Sequence, residues 1–175
     1  MSAKLVFILA GALVVGGCKL LPDPTVFPLA KEQVQSMLLN AETTLPRRDG
    51  PKDMIKIWGA YRSGKGVRLN MKYAKWAPLL ECEAVITSIS PKETRVVADC
   101  GKSPNSDSAV SRTQDELQVP MFAEHIAATL RKRPFNRSNV DAMEAATVFK
   151  NLGGMQREAL QSADEARRSA AQRGR

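Results

Sequence analysis

Residues 82–100 read CEAVITSISPKETRVVADC. Both ends of this stretch are rich in β-branched residues, which favour extended strands. Between them lies Ser90-Pro91-Lys92-Glu93, a sequence typical of a turn because serine and proline interrupt regular structure. The pattern therefore predicts an antiparallel β-hairpin.

If Cys82 is placed opposite Cys100, the facing pairs of residues along the two strands of the hairpin are fixed. The face that carries the cysteines is then wholly apolar, and it pairs Ala84 with Ala98 and Ile86 with Val96. The other face pairs Val85 with Val97, Thr87 with Arg95, and Glu83 with Asp99. Two carboxylates directly opposite each other repel. We expect Lys72 or Lys102 to relieve this repulsion, or a β-bulge to shift the register.

The first residues of the chain have the order of a secretory signal. A single early cation, Lys4, precedes an apolar run from Leu5 to Val15, and the small pair Gly16-Gly17 comes directly before Cys18. A positive start, an apolar stretch of roughly 7 to 15 residues and a small-residue end are typical of a cleaved signal peptide. The run is shorter than the ~20 apolar residues that a transmembrane helix needs.

The segment from Leu13 to Cys18 resembles the bacterial lipoprotein signal, in which an aliphatic residue and two small residues precede a cysteine that is lipidated. The resemblance implies that Cys18 carries acyl chains such as palmitate, and that these chains hold the protein to a membrane. Lys19 directly after the cysteine implies sorting to the outer membrane, facing the periplasm. An ordinary cleaved signal or an N-terminal membrane helix is the alternative interpretation.

Cys82 and Cys100 are the two cysteines that remain once Cys18 is assigned to lipid. An oxidising compartment makes a disulfide the default expectation for such a pair. Opposed positions on antiparallel strands also meet the Cα separation that a disulfide requires. Closing this loop would contribute about 3 kcal/mol in the chain-entropy model. A redox or nucleophilic thiol is the alternative, but no Cys-x-x-Cys spacing is present.

Composition divides the chain into four parts. They are a signal peptide at 1–17, a lipidated, proline-rich extended tether at 18–28, one domain at 29–154, and a polar tail at 155–175 that is either a solvated helix or disordered. The formal net charge of +8 can attract anionic partners. Because the basic residues are scattered and only two Trp and two Tyr are present, the sequence does not favour nucleic-acid binding.

Hydrophobic periodicity places the other elements around the hairpin. The sequence predicts a helix at 31–41, a strand or helical turn at 53–59, a strand at 66–73, a loop at 102–112, a helix from Pro120 to near Pro134, and a helix from the capping residue Ser138 to Gly153-Gly154. The fold class is therefore α+β, a single small domain with a short antiparallel sheet packed by N- and C-terminal helices.

Two motifs suggest chemistry, and each has a simpler interpretation. The run from Gly59 to Gly66 nearly matches a phosphate-binding loop, but the last residue is Gly where Ser or Thr would hold Mg²⁺, and a strand pattern follows it. We interpret it as a turn between strands. His125 is the only histidine, so no multi-histidine metal site is expected. It could serve as a base beside Glu124, although a histidine on the flank of a helix is the simpler interpretation.

The basic residues Arg131, Lys132, Arg133 and Arg137 surround a helix end. They could bind an anion, or they could interact with the terminal carbonyl groups of the helix. No cofactor or metal motif is present. The first functional hypothesis is a non-catalytic, lipid-anchored module that binds an envelope protein or an anionic envelope component. The alternatives are a periplasmic carrier of a small apolar ligand, enclosed by the sheet and the helix around Phe122, and a hydrolase that uses His125.

Overall fold

The computed structural model describes residues 23–47, 54–102 and 107–173, so the lipidation site predicted at Cys18 lies outside the described residues. Six strands and four helices form a mixed α+β fold, which confirms the predicted class. In chain order they are β1 (Val26–Phe27), α1 (Lys31–Leu39), β2 (Glu42–Pro46), β3 (Met54–Arg62), β4 (Gly66–Lys72), β5 (Leu80–Ser90), β6 (Glu93–Asp99), α2 (Ala109–Glu116), α3 (Val119–Leu130) and α4 (Arg137–Arg173).

The six strands form one curled antiparallel sheet in the order β1-β6-β5-β4-β3-β2. Strands β2 to β6 follow one another as hairpins, so each lies beside its neighbour in sequence. Strand β1 is the exception, because it crosses to the far edge and pairs with β6 through Val26–Arg95 and Phe27–Thr94. The two ends of the sheet are therefore short edge strands.

The register of the β5–β6 hairpin is the one that the cysteines predict. Every predicted pair from Glu83–Asp99 to Thr87–Arg95 is observed, and the one irregularity lies near the turn, between Ser88 and Ser90. The sulfur atoms of Cys82 and Cys100 lie at bonding distance, with their Cα atoms 3.9 Å apart.

The carboxylate of Glu83 has polar neighbours other than the predicted lysines. It accepts a hydrogen bond from the Ser63 hydroxyl, and Arg68 lies opposite it on β4. On the other strand, Asp99 accepts a hydrogen bond of 3.0 Å from the backbone N–H of Gly101. The structure thus places Ser63 and Arg68 beside Glu83, where the sequence suggested Lys72 or Lys102.

The core lies between one face of the sheet and the helices α1 and α3. The alternation predicted for β4 is observed, because Val67, Leu69 and Met71 are buried while the intervening residues are not. Helix α1 packs over β3, β4 and β5, and α3 packs over β5 and β6. The helices contribute the buried residues Val34, Leu38, Met121, Phe122, Ile126 and Leu130.

Several element boundaries differ from the sequence prediction. Strand β2 was not predicted, and helix α1 ends at Leu39 rather than at residue 41. The predicted loop at 102–112 is wrong from Ala109 onward, because α2 begins there with Ser108 as its N-cap. The side chain of Ser108 accepts a hydrogen bond of 3.0 Å from the Ser111 N–H, which satisfies one of the free donors at a helix start. The segment at 53–59 was predicted as either a strand or a helical turn, and from Met54 onward it forms strand β3.

Helix α4 begins and ends differently from the prediction. Asn136 takes the capping role that we predicted for Ser138, since its Oδ1 atom accepts hydrogen bonds from the N–H groups of Ser138 and Asn139 at 3.0 and 3.4 Å. The predicted end at Gly153-Gly154 is wrong, because the helix continues to Arg173. Of the two alternatives for the tail, the structure therefore shows the helix as far as Arg173.

The entry of the chain into the domain also differs from the prediction. The tether was predicted to run to residue 28, but Val26 and Phe27 pair with β6 and the Phe27 side chain is buried. Just before them, Asp23 accepts hydrogen bonds from the backbone N–H and hydroxyl of Thr25 and forms an ion pair with Arg95 at 3.3 Å. The segment from Asp23 to Phe27 is thus held against the sheet edge. No helix of the described residues is both long and apolar enough to cross a membrane.

Candidate functional site

A groove of about 510 Å³ lies between the β1–β6 edge of the sheet and the helices α3 and α4. We call it the apolar groove. Its walls are mostly aliphatic, and residues far apart in the sequence meet there. They include Pro24, Thr25, Phe27, Val96, Ala98, Val119, Ala123, Ile126, Ala127, Ala142 and Met143.

The groove exists because small residues of α3 face the end of the sheet. Ala123 and Ala127 are four residues apart, so they lie one above the other on the same face of the helix. Their methyl groups leave space that a larger side chain would fill. Phe122, by contrast, is fully buried in the core and does not line the groove. The carrier hypothesis named the sheet and the helix around Phe122, and the groove is lined by that helix through the face that carries Ala123 and Ala127.

A polar cluster closes one side of the groove. The carboxylate of Glu124 is only 4% exposed and accepts hydrogen bonds from both terminal nitrogens of Arg133, one of them at 2.9 Å. It also accepts one of 2.7 Å from the backbone N–H of Asn136 and a longer one of 3.5 Å from the Asn139 side chain. Burial by itself would raise the pKa of Glu124, but the hydrogen bonds and the Arg133 charge hold it below the usual 4.5.

We expect Glu124→Ala to lower the free energy of unfolding by about 2 kcal/mol. Removing one partner of a buried ion pair typically costs 3–5 kcal/mol, and about 2 is expected here because Arg133 keeps 30% of its surface in water. Urea unfolding at pH 7 measures the loss. Glu165→Ala, on the exposed part of α4, is the control and should change little. An equal effect of both variants would contradict a stabilising role for the buried ion pair between Glu124 and Arg133.

Two of the four predicted anion-binding residues reach the apolar groove. Arg131 and Arg133 both line it, and Arg133 is paired with Glu124. Arg131 donates a hydrogen bond of 2.7 Å to the backbone oxygen of Pro24, and its guanidinium lies 5.2 Å from the centroid of the Phe27 ring. This contact is a cation–π interaction that fixes the side chain at the rim.

The other two predicted residues lie elsewhere. Lys132 is exposed, has a left-handed backbone (φ 51°) in the turn after α3, and lines a second pocket beside β2. Arg137 forms an ion pair with Asp141 at 3.3 Å and lies 3.0 Å from the sulfur of Met121. The four residues therefore do not converge on one site.

His125 points into the core, away from the apolar groove. Its side chain is fully buried, and its Nδ1 atom lies 2.8 Å from the hydroxyl oxygen of Thr43 on β2. Its Nε2 atom is buried without a partner among the described residues. Burial lowers its pKa to about 4, so the ring is neutral at pH 7. A substrate would reach this ring only if the core opened, which disfavours the hydrolase alternative.

The glycine-rich run from Gly59 to Gly66 forms the connection between β3 and β4. The N–H of Ser63 donates a hydrogen bond of 3.0 Å to the carbonyl of Gly66, which closes the turn. Strand β4 follows directly, where a phosphate-binding loop would need the N-terminus of a helix. The interpretation as a turn between strands is confirmed.

Sequence reasoning missed the apolar groove itself. The only signal for it was the pair Ala123 and Ala127 at helical spacing, and such a pair is equally compatible with tight packing against another element. Comparison with protein-family models, with curated proteins and with solved structures found no match for this chain. The geometry of the groove and the residue pattern of the N-terminus are therefore the two features from which a function can be inferred.

Proposed function

We propose that this protein is a lipid-anchored cell-envelope lipoprotein, acylated at Cys18 and located at the periplasmic side of the outer membrane. Its domain, in which helices α1 and α3 pack on one face of the sheet, is a non-catalytic binding module for a small apolar ligand. The anchor is supported by the order of residues from Lys4 to Lys19. The ligand class is supported by the apolar groove.

The volume and lining of the groove carry the proposal. Ligand sites commonly measure roughly 300–1,000 Å³ and are lined mainly by apolar side chains with a few placed polar groups. The apolar groove, at about 510 Å³, falls within this range and combines aliphatic walls with Glu124, Arg131 and Arg133. Apolar surface that faces water is unfavourable, so a ligand that covers these walls gains free energy on binding.

Protein recognition through α4 is a second candidate function. The side chain of Phe149 is 79% exposed and that of Leu160 is 68% exposed, on a helix that has only Val140 fully buried. Aromatic residues, phenylalanine included, are enriched at protein–protein interfaces. Pull-down from the native envelope with Phe149→Ser as the matched variant tests this candidate. Loss of capture with Phe149→Ser, but not with a groove variant, would assign recognition to α4.

A tryptophan that fills the groove should abolish ligand binding. Ala142 lines the groove on α4 and is exposed, so Ala142→Trp adds bulk there without changing the core. The full chain is purified from its own envelope and examined by native mass spectrometry for a retained small molecule. We expect added mass in the wild type and none in Ala142→Trp. Ala170→Trp, on the exposed end of the same helix, is the control and should retain the ligand; retention in all three proteins would exclude the groove.

Metabolic labelling with an alkyne fatty acid tests the anchor separately. The wild-type protein should carry the label, and Cys18→Ser should carry none, because the thiol is the proposed attachment point. Membrane fractionation should then place only the labelled form in the outer membrane. Cys82→Ser is the matched control, and it should be labelled like the wild type. Label that persists in Cys18→Ser would refute acylation at this residue.

A further inference from the structure

The rim of the apolar groove carries a positive charge that no described carboxylate balances. Three charged residues line the groove, namely Glu124, Arg131 and Arg133. Glu124 and Arg133 form an ion pair with each other. Among the described residues the structure shows no ion pair for Arg131, so the lining of the groove has a net charge of about +1 at this rim.

The guanidinium of Arg131 is held in place without using all its donors. It donates one hydrogen bond to the Pro24 carbonyl, and its central carbon lies over the Phe27 ring, 5.2 Å from the ring centroid. A guanidinium has five N–H donors in a fixed planar fork, which matches the two oxygens of a carboxylate. Because Arg131, Pro24 and Phe27 all line the groove, the guanidinium lies at the groove with donors that the Pro24 carbonyl does not use.

We propose that the apolar groove binds a long-chain fatty acid, with its carboxylate at Arg131 and its alkyl chain along the α3 face formed by Ala123 and Ala127. This inference rests on the proposed apolar-ligand function and adds the ligand class. An aliphatic wall accepts the methylene groups, because their removal from water is favourable. The single unpaired cation accepts a single anionic group. A neutral alkyl ligand would leave Arg131 without an anionic partner.

Photo-crosslinking of the full chain in phosphatidylcholine nanodiscs tests the proposal. The probes are a diazirine-bearing palmitic acid and the matching diazirine-bearing hexadecanol, and mass spectrometry measures crosslinks to peptides of α3 and α4. The ratio of acid to alcohol yield in the wild type is divided by the same ratio in Arg131→Gln. This quotient cancels the different partition of the two probes into lipid. We expect a quotient of about five, the value for one charge-assisted contact at a partly exposed site.

Two further variants separate charge recognition from loss of structure. Arg131→Lys keeps the charge but not the fork, so its acid-to-alcohol ratio should lie between those of the wild type and Arg131→Gln. Lys132→Gln removes the adjacent cation, which lies outside the groove, and should leave the ratio unchanged. Thermal melting of each variant confirms that it is folded.

The possible outcomes distinguish the two proposals. Absence of crosslinks to the groove with either probe would overturn the apolar-ligand function. Crosslinks with both probes and a quotient near one would overturn the fatty-acid assignment and leave that function intact. Unlabelled lysophosphatidylglycerol is added as a competitor, and stronger protection by it than by palmitate would show that the ligand is a phospholipid, which also overturns the assignment.

Discussion

Gly59→Ala will lower the free energy of unfolding by about 3 kcal/mol, because α1 crosses β3 at this residue. A Cβ atom on Gly59 would lie 2.6 Å from the Cα of Leu39 and closer still to the carbonyl oxygen of Leu38. Both are backbone atoms, so the clash cannot be relieved by a side-chain rotation. Overpacking a core costs typically 1–3 kcal/mol, and the upper end applies where backbone must move.

Gly64→Ala is the matched control for this prediction. It lies in the same glycine-rich run, yet a Cβ atom there would meet nothing within 4 Å. We expect its free energy of unfolding to stay within about 1 kcal/mol of the wild type. Urea unfolding monitored by far-UV circular dichroism compares the three proteins. Equal stability of the Gly59 and Gly64 variants would mean that α1 does not approach β3 as closely as the structure shows.

Acidification below pH 6.5 will destabilise the protein through His125. An unfolded histidine takes up a proton near pH 6.5, whereas the buried ring does so only near pH 4. Between these values the unfolded state binds more protons, so stability rises with pH. Well above pH 6.5 the neutral ring of His125 contributes fully to the free energy of unfolding. Relative to that value, the free energy of unfolding is lower by about 2 kcal/mol at pH 5 and by about 3 kcal/mol at pH 4.

Urea unfolding between pH 5 and 7.5 measures this dependence. Since the chain has one histidine, replacing it by Gln should flatten the curve in this range. The carboxylates with lowered pKa, such as Glu124, lose their contribution only below about pH 4.5. Thr43→Val removes the hydroxyl partner of His125; it should lower stability by about 1 kcal/mol but keep the pH dependence. If the free energy of unfolding of His125→Gln rose with pH as steeply as that of the wild type, a group other than His125 would cause the pH dependence.

The β5–β6 hairpin and β4 could be predicted because their patterns are local. Alternation of period two assigns every residue to a face, and a shift of one residue would move Ile86 and Val96 out of the core. The opposed cysteines then fix the register. The glycine-rich run was also interpreted correctly, but its packing role was not visible. Only the tertiary structure shows that Gly59 lies against α1 and Gly66 against β5.

The missed elements depend on contacts that no local pattern encodes. Strand β2 has the sequence ETTLP, and its pairing with β3 from Glu42–Trp58 to Pro46–Met54 holds it in the sheet. Proline is tolerated there because β2 is an edge strand. Helix α4 continues past its glycine pair because α2 packs against it. Gly154 lies beside Ala109, whose backbone N–H donates to the carboxylate of Glu158 at 2.6 Å.

The apolar groove could not be predicted for the same reason. Its walls combine Pro24 of the entering segment with Ala98 of β6 and Met143 of α4. These residues meet only because β1 crosses to the far edge of the sheet, and a two-residue strand has no recognisable pattern of its own. Arg131 was identified as a candidate anion-binding residue, but its position beside the groove follows from the same crossing.

The length of α4 affects how the domain would move in solution without the proposed lipid anchor. At 1.5 Å per residue its 37 residues extend about 55 Å, and every residue from 159 to 173 is exposed to solvent. The exposed part of the helix adds friction without adding much mass. Translational diffusion will therefore be slower than for a sphere of equal weight, and fluorescence anisotropy decay will show two rotational correlation times, one for spinning about the helix axis and one for end-over-end tumbling.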